Sequence, residues 1–236
     1  MPFFSSVEGK FAYGRPNPPL PVTTGGSLLF TRSSTSGVSI PNDVDLRMGT
    51  GDFTIEWFQY QLTGSATNQR IFSIGTWDTA SIAVSQEGSD TSKTFYAWIS
   101  SANSILTVLN LTNTWIHFAV CRSGSTLRVF RNGTQIGTNI SNSTNFADAT
   151  NNLVIGNEST RTVGSAFNGY ITNFHWVKGT ALYTANFTRP TRPITPVANT
   201  KLLLLATTSG TAFTDSSGVG KTATGTGVAW NALTPF

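Results

Sequence analysis

The pattern that most constrains this fold is a succession of short apolar runs, each ended by small or turn-forming residues. From residue 26 onward, Val, Ile, Thr and aromatic residues gather in stretches of strand length, and clusters of Gly, Asn, Asp and Ser separate them. This spacing is typical of an antiparallel β-sandwich. The only helix-like candidate is a short turn at 179–183. The sequence therefore predicts an all-β domain over residues 25–236.

The apolar runs also predict the individual strands. Asn132-Gly133 supplies the positive φ angles of a tight turn, so 127–131 and 135–137 should form a hairpin. The other strands are expected at 27–31, 53–62, 71–75, 81–85, 94–100, 104–109, 115–122, 152–156, 169–177 and 201–206, with a last return to the sheet at 222–230.

Residues 1–24 differ from the rest of the chain and are predicted to form an extended arm. The segment GRPNPPLP at 14–21 is dense in proline, which favours the polyproline II conformation. Before it come Phe3, Phe4, Phe11 and Tyr13. A tail that contacts only solvent is not expected to carry so many aromatic side chains. These four side chains either pack on their own sandwich or form an assembly site that docks onto a neighbouring subunit or particle.

Charge and cysteine content narrow the classes of partner. Charged residues make up 11% of the sequence, less than half of the usual share of about 25%. The net charge is +4, but Lys and Arg are scattered singly, whereas nucleic-acid-binding proteins concentrate them on one face. We therefore expect no nucleic-acid partner. Cys121 is the only cysteine, so an intrachain disulfide is impossible.

The beginning of the chain and its apolar runs bear on localisation. The first ten residues lack the charged start and the long apolar core of a signal peptide. No apolar run reaches the length that a membrane span requires. We therefore expect synthesis in the cytoplasm and no membrane span.

Several motifs follow one another in the order found in a known family. The segment GDFTIEWF at 51–58 resembles the DFTIEFW strand of laminin-G-like modules, and WIHFAV at 115–120 is similar to their WhHvA strand. The segments LRVFRNG at 127–133, LVIG at 153–156 and FNGYITNFHW at 167–176 resemble further strands of the same modules. TALY at 180–183 follows where the family commonly has raLy. The chain thus resembles the laminin-G-like, concanavalin A-like lectin/glucanase superfamily from about residue 25 to residue 206.

This resemblance implies a concanavalin A-like jelly-roll sandwich of two antiparallel sheets. It does not imply one function, because the fold hosts lectins, glycanases, adhesion modules and structural modules. The low charge, the segment VKGTALYTANFT at 177–188 and the DSSG at 215–218 resemble in style modules of virion proteins from phages and large DNA viruses.

The carboxylates argue against a polysaccharide-cleaving enzyme. A glycoside hydrolase needs two carboxylates that flank the scissile bond, and the Glu-x-Asp-x-x-Glu motif of the family's glucanase branch is missing. The closest pairs are Asp43 with Asp45, Glu87 with Asp90, and Asp52 with Glu56. The first two pairs fall in predicted loops, and the third belongs to the strand motif. Since His117 and His175 both lie inside predicted strands, we predict no catalytic residues and no enzymatic activity.

The resemblance makes calcium the cofactor to consider. Many relatives bind it at one rim of the sandwich through Asp and backbone oxygens, which suit a hard cation. Asp43, Asp78 and Glu158 are the conceivable ligands here. Because an Asp-rich loop is absent, we expect neither a metal site nor another cofactor.

A saccharide site requires exposed aromatic side chains for stacking and polar groups for the hydroxyls. Alternation places Tyr96 and Trp98 on one face of the strand 94–100, and Trp77 lies in a predicted loop. With Asp78 and Arg161 as polar neighbours, these are the predicted ligand-binding residues. For each aromatic side chain, a place in the core is the alternative.

The sequence therefore predicts a non-catalytic virion or surface protein that uses the sandwich for attachment or assembly. Its expected partners are other virion or surface proteins, or further copies of itself in a homo-oligomer. A carbohydrate-binding adhesin is the alternative function, with glycans as ligands. The low charge and the aromatic arm favour assembly.

Overall fold

The computed structural model describes residues 25–63, 68–76, 82–89, 92–99, 108–109, 111–147, 150–161 and 164–236. The strands are β1 Ser27–Phe30, β2 Gly37–Ile40, β3 Phe53–Gln61, β4 Asn68–Ile74, β5 Ile82–Ser89, β6 Ser92–Ile99, β7 Val108–Leu109, β8 Trp115–Ser123, β9 Thr126–Arg131, β10 Thr134–Ser141, β11 Leu153–Ile155, β12 Gly169–Lys178, β13 Thr200–Leu204, β14 Thr224–Thr226 and β15 Val228–Asn231. Single 3-10 turns occupy Val44–Leu46 and Ser209–Thr211.

These strands form two sheets whose pairs are antiparallel. The larger sheet has the order β10-β9-β8-β3-β12-β1-β15, and β13 pairs with the second half of β12. The smaller sheet has the order β14-β2-β11-β4-β5-β6-β7. The predicted two-sheet sandwich is therefore confirmed.

A layer of aromatic side chains fills the space between the sheets. Trp57 from the larger sheet stacks on Phe118 at a centroid distance of 5.6 Å and meets Phe72 of the smaller sheet edge-on at 5.7 Å. Phe72 also contacts Trp176 edge-on at 5.8 Å. Because these four side chains come from strands of both sheets and are fully buried, they join the two layers into one core.

Among the described residues, the strand predictions held except at three places, and residues 104–107 of the predicted strand 104–109 lie outside them. The strand β2 was not predicted, because GVSI at 37–40 is short and starts with glycine. The helix-like turn predicted at 179–183 is wrong, since this segment is irregular. The last return to the sheet is split, and β14 and β15 join different sheets. The predicted arm at 1–24, with Phe3, Phe4, Phe11 and Tyr13, lies outside the described residues.

Irregular backbone covers much of the outer face of the larger sheet. We call residues 179–199 the strap. Tyr183 and Phe187 of the strap stack at 3.6 Å and pack with Phe130 of β9. At the other end of the chain, Phe236 contacts Phe58 of β3 at 5.1 Å. Nowhere in the described part of the chain is a helix long and apolar enough to cross a membrane.

Candidate functional site

Of the five predicted ligand-binding residues, Arg161 is the one whose side chain the structure describes, and it lines a cavity. Trp77 and Asp78 lie outside the described residues. Tyr96 and Trp98 belong to β6, where the backbone register pairs them with Ser85 and Ala83. Arg161 follows β11 and lines a groove on the outer side of the smaller sheet.

A tight turn aims Arg161 at this groove. The Arg161 amide donates a hydrogen bond to the Glu158 carbonyl at 2.9 Å, and the Arg161 backbone is left-handed, with φ of 49°. Such a conformation is unfavourable for a residue other than glycine, and it recurs at functional sites. The Arg161 side chain is partly exposed. No hydrogen bond or ion pair joins its guanidinium to another described residue.

We call this cavity the Arg161 groove. It has a volume of about 390 Å³ and is lined by Ser39, Thr150, Asn151, Asn152, Val154, Ser159 and Arg161. Apart from Val154, every one of these side chains carries a hydroxyl, an amide or a guanidinium. A groove of this composition suits a ligand that has many hydrogen-bonding groups and little charge.

Two hydroxyl groups of the groove are already oriented by their neighbours. Ser39 accepts a hydrogen bond from the Asn152 side-chain amide at 3.3 Å. Ser159 accepts one from the Gly75 backbone amide at 3.1 Å. In both cases a neighbour fills an acceptor position of the oxygen, so the hydroxyl proton remains available to donate.

A continuous row of paired residues leads from the groove across the sheet. The pairs run Thr224–Ser39–Val154–Ser73–Ala83–Trp98. Directly opposed residues of an antiparallel pair share one face of a sheet, and the neighbours of Ser39 in β2 belong to the core. The row therefore lies on the outer face, and it reaches the register position of Trp98 about 14 Å from Val154, at three strand spacings.

A second polar cluster lies beneath the strap on the larger sheet. The Glu56 carboxylate accepts hydrogen bonds from His117 Nε2 at 3.0 Å, from His175 Nδ1 at 2.7 Å and from the Tyr183 hydroxyl at 2.9 Å. His175 Nε2 faces the Thr200 hydroxyl at 2.8 Å. Both histidines are fully buried, and Glu56 is 2% exposed.

The electrostatics of this cluster favour a fixed charge. Burial opposes the ionisation of Glu56, but the hydrogen bonds from His117 and His175 outweigh it and lower the pKa of Glu56 to about 2. Burial, together with the Glu56 charge, raises the pKa of Tyr183 well above its usual range. A carboxylate held by three donors, beside a phenol that stays protonated, stabilises structure and is poorly suited to transfer protons.

Four of the carboxylates weighed as catalytic or calcium-binding groups bind other residues of the chain, whereas Asp78 and Asp90 lie outside the described residues. Asp43 and Asp45 both bind Lys221, at 2.9 and 2.8 Å. Glu158 accepts a hydrogen bond from Ser165 at 2.8 Å, and Asp52 accepts one from the Gly124 amide. Within the described ranges, no group of three or more His, Cys, Asp or Glu residues is arranged to hold a metal ion.

A family model described as the concanavalin A-like lectin/glucanases superfamily matches residues 32–183, which is more than half of the chain. The chain belongs to this superfamily. As a member, it carries the DFTIEWF and WIHFAV strands side by side, since Glu56 and His117 come from neighbouring strands β3 and β8 and bind each other.

Solved structures share the concanavalin A-like fold at low sequence identity. A putative carbohydrate-binding protein from Bacteroides ovatus has a TM-score of 0.65 and 15% identity, over 89% of this chain and 60% of that one. The heptameric SAP-like pentraxin of Limulus polyphemus has a TM-score of 0.54 and 14% identity, over 69% and 79% of the two chains. At these identities the likeness concerns the fold alone. A comparison with curated proteins finds no match.

Sequence reasoning missed most residues of the Arg161 groove. Ser39, Asn152 and Ser159 come from three separate places in the chain, and nothing in their local pattern distinguishes them from other surface residues. The cluster beneath the strap was also missed, although its signal was present. Glu56 and His117 lie in adjacent family motifs, and TALY at 180–183 places Tyr183 shortly after the strand that contains His175.

Proposed function

We propose that this protein is a non-catalytic recognition module that binds a saccharide in the Arg161 groove. The observation that carries the proposal is the lining of that groove, where one guanidinium, amides and oriented hydroxyls surround a single apolar side chain. Sugars present closely spaced hydroxyls that both donate and accept hydrogen bonds. Such a ligand is matched by several polar groups with fixed directions and needs no strong opposite charge.

Arg161 is the central residue of the proposed site. Its guanidinium donates in a fixed fork and can bind two neighbouring oxygen atoms at once. The left-handed backbone of Arg161 costs about 1 kcal/mol or more. No hydrogen bond or ion pair of the side chain with another described residue compensates for this cost, which supports a role in ligand binding.

The row of residues beside the groove sets a limit to the proposed site. Ser73 and Ala83 lie on the same outer face but are only 1% and 2% exposed, so a ligand bound to Arg161 does not contact them. The stacking role of Trp98, whose register position ends the row, stays a prediction. We propose that the saccharide is confined to the Arg161 groove.

The absence of catalysis is part of the same proposal. Retaining and inverting glycosidases need two carboxylates on opposite sides of one bond. Among the described residues, the groove lining contains no carboxylate, and Glu158, the nearest in sequence to Arg161, is 6% exposed and bound to Ser165. We also propose that binding needs no calcium or other cofactor.

The biological setting remains a proposal based on the sequence. We propose that the protein is made in the cytoplasm and acts on a virion or surface, among other structural proteins or copies of itself. The low charged fraction supports this setting. Light scattering on the full chain tests it, because a stable oligomer is expected for an assembly protein and a monomer would contradict self-association.

A glycan array followed by calorimetry tests the saccharide proposal. The full chain should bind a defined set of oligosaccharides, and Arg161→Asn should weaken binding about tenfold or more, as expected for a lost charged hydrogen bond. Asn is chosen because it tolerates the left-handed backbone. Arg32→Asn is the matched control, since Arg32 is an exposed arginine outside the groove.

Three results would contradict the proposal. Equal affinity of the Arg161→Asn and Arg32→Asn variants would exclude the groove. Binding that is lost in EDTA and restored by calcium would refute the cofactor-free site. Release of reducing sugar ends by the full chain, abolished by replacing Asp78 and Glu158 together, would show an enzyme.

A further inference from the structure

Four glutamine side chains lie in the interior of the sandwich, among residues that are mostly apolar. Gln59 and Gln61 belong to β3, Gln69 to β4 and Gln86 to β5, and all four residues are fully buried. Glutamine is mostly an exposed residue type in folded proteins. We call these four residues the glutamine cluster.

The two glutamines of β3 point into the space between the sheets. Gln59 and Gln61 follow Trp57 at steps of two residues, so the three side chains share one face of the strand. Trp57 belongs to the main core, which makes this the inner face. The Trp57 indole donates a hydrogen bond to Gln59 Oε1 at 2.9 Å, and this bond places the Gln59 amide beside the aromatic layer.

A β-bulge turns Gln69 toward the same space. Gln86 alternates with Val84, a core residue of β5, and therefore faces inward. Gln69 pairs directly with Gln86, and directly opposed residues share one face of a sheet. Phe72, three residues further along β4, pairs with Val84. The extra residue of β4 between these two pairs is the bulge that brings both Gln69 and Phe72 to the inner face.

The four residues lie at one end of the sandwich. Gln61 is the last residue of β3 and Gln69 is the second of β4, the next strand along the chain. One short segment joins them, since the Asn168 amide donates to Gln69 Oε1 at 3.3 Å and the following residue, Gly169, pairs with Gln61. The other two members lie at the same end, because one pairs with Gln69 and the other comes two residues before Gln61.

Six polar atoms of the glutamine cluster have no hydrogen-bond partner among the described residues. They are Nε2 of all four glutamines, together with Oε1 of Gln61 and Oε1 of Gln86. Nearly all buried polar groups in folded proteins are hydrogen-bonded, because an unpaired donor or acceptor keeps the full cost of its desolvation. Six such atoms at one end of the sandwich therefore indicate a ligand that supplies donors and acceptors.

The same atoms specify an uncharged and small ligand. Each NH₂ group donates and each Oε1 accepts, so the ligand must do both. Arg70 and Glu87 are the charged neighbours of Gln69 and Gln86 in sequence, but alternation places them on the outer face, where they form an ion pair with each other. The amides also make no hydrogen bond to one another, and a single bridging oxygen can span the gaps that separate them.

We propose that the glutamine cluster binds a group of ordered water molecules inside the sandwich. Water donates and accepts hydrogen bonds, carries no charge and is small enough to stand between amides that do not touch. A buried water molecule typically makes about three hydrogen bonds, so about two or more molecules satisfy the six atoms. This inference is independent of the saccharide site, because none of the four glutamines lines the Arg161 groove.

Magnetic relaxation dispersion of the solvent oxygen nuclei tests the proposal on the full chain. Its amplitude counts the water molecules that stay inside the protein for longer than the protein takes to tumble. Gln86→Met replaces the amide by an apolar group of similar size and should lower the amplitude by about one water molecule. Gln135→Met is the matched control, because Gln135 is partly exposed and its amide already binds Asn139. Its amplitude should equal that of the wild type.

Nuclear Overhauser contacts in the wild type supply a second measurement, which does not depend on the folding of a variant. The side-chain NH₂ protons of the glutamine cluster are assigned through their own side-chain carbons. We expect these protons to show contacts to water with the sign that marks long-lived molecules. The NH₂ protons of Gln135 should show only the exchange and the short-lived contacts of a partly exposed amide.

Three results would overturn the proposal. An equal dispersion amplitude for Gln86→Met and the wild type would show that this amide holds no water. Contacts among the NH₂ groups of the cluster, without contacts to water, would mean that the amides bind one another. Contacts to protons of another small molecule, identified by mass spectrometry after denaturation, would make the cluster a site for a different ligand. We expect a lower amplitude in Gln86→Met alone and water contacts in the wild type.

Discussion

The hydroxyl of Tyr183 donates a hydrogen bond of 2.9 Å to the Glu56 carboxylate, across 127 residues of sequence. Glu56 belongs to a central strand of the larger sheet, whereas Tyr183 belongs to the irregular strap. The stack of Tyr183 on Phe187 at 3.6 Å continues this connection to the hairpin of β9 and β10. A buried charge therefore holds an otherwise irregular segment against the sheet.

Replacing Glu56 by Gln should destabilise the protein by about 3 kcal/mol. The amide keeps the size of the side chain but removes the charge that three donors share, and its NH₂ group faces donors where an acceptor is needed. Urea unfolding should show a lower midpoint with an unchanged slope. Tyr183→Phe removes one donor only and should cost about 1.5–3 kcal/mol as a lost hydrogen bond to a charged group. A loss below 1 kcal/mol for Glu56→Gln would show that the cluster contributes little.

The same carboxylate predicts a loss of stability in acid. Its pKa is about 2 in the folded protein against an ordinary value of 4.5. A depressed pKa contributes stability that is complete above the unfolded value and disappears as pH falls through the folded one. Between pH 5 and pH 2 the free energy of unfolding should therefore fall by about 3 kcal/mol from this group alone. The difference between the wild type and Glu56→Gln should shrink over this interval, and a constant difference would refute the assignment.

Most of the fold was predictable because strand signals are local. Alternation of apolar residues and the Asn132-Gly133 turn act over a few neighbours, and the observed β9 agrees with its predicted range to within one residue. The strand β2 was not predicted, because four residues that begin with glycine are too few to show the alternation of a strand. Its place is determined by pairing with β11 and β14, which are far away in sequence.

The candidate site was predictable only in part, since it depends on contacts between distant segments. Arg161 was chosen as a polar neighbour of predicted aromatic residues, and the structure places it in a groove. Ser39 and Ser159 join it through hydrogen bonds from Asn152 and Gly75. Such hydrogen bonds link residues up to 113 positions apart, and no local sequence pattern predicts them.

The Asn132-Gly133 turn should be unusually sensitive to a side chain at Gly133. Gly133 has a positive φ of 83°, and an added Cβ would collide with the carbonyl oxygen of Phe187 in the strap. Gly124→Ala is the matched control, because Gly124 also has a positive φ, of 57°, but its added Cβ meets nothing within 4 Å. We expect about 1 kcal/mol for Gly124→Ala and a clearly larger loss for Gly133→Ala in urea unfolding. Equal losses would mean that the strap does not press on the hairpin.

The thiol of Cys121 should be inert in the folded protein. Burial raises its pKa to about 12, the side chain is 1% exposed, and its sulfur lies 3.4 Å from the Thr54 hydroxyl. Since the thiolate is the reactive form, Ellman's reagent at pH 8 should detect no thiol in the native state and one per chain in concentrated urea. Rapid reaction of the native protein would show that the strap opens over Cys121.

Arg122 should not tolerate replacement by lysine. Its guanidinium is fully buried and donates to the carbonyls of Gly49, Gly51 and Thr144 at 2.6–2.7 Å. It also packs against the rings of Phe53 and Phe146. These acceptors surround the planar fork on several sides, and the single ammonium group of lysine cannot reach all of them.

The expected cost of Arg122→Lys is about 3 kcal/mol, because buried carbonyls lose their donors while a charge remains in the interior. Arg128→Lys in β9 is the control, since Arg128 is partly exposed and should change the free energy of unfolding by less than about 0.5 kcal/mol. Urea midpoints of both variants give the comparison. If the two substitutions cost the same, the loops at Gly49 and Thr144 are held by the packing of Phe53 and Phe146, and the hydrogen bonds of Arg122 add little.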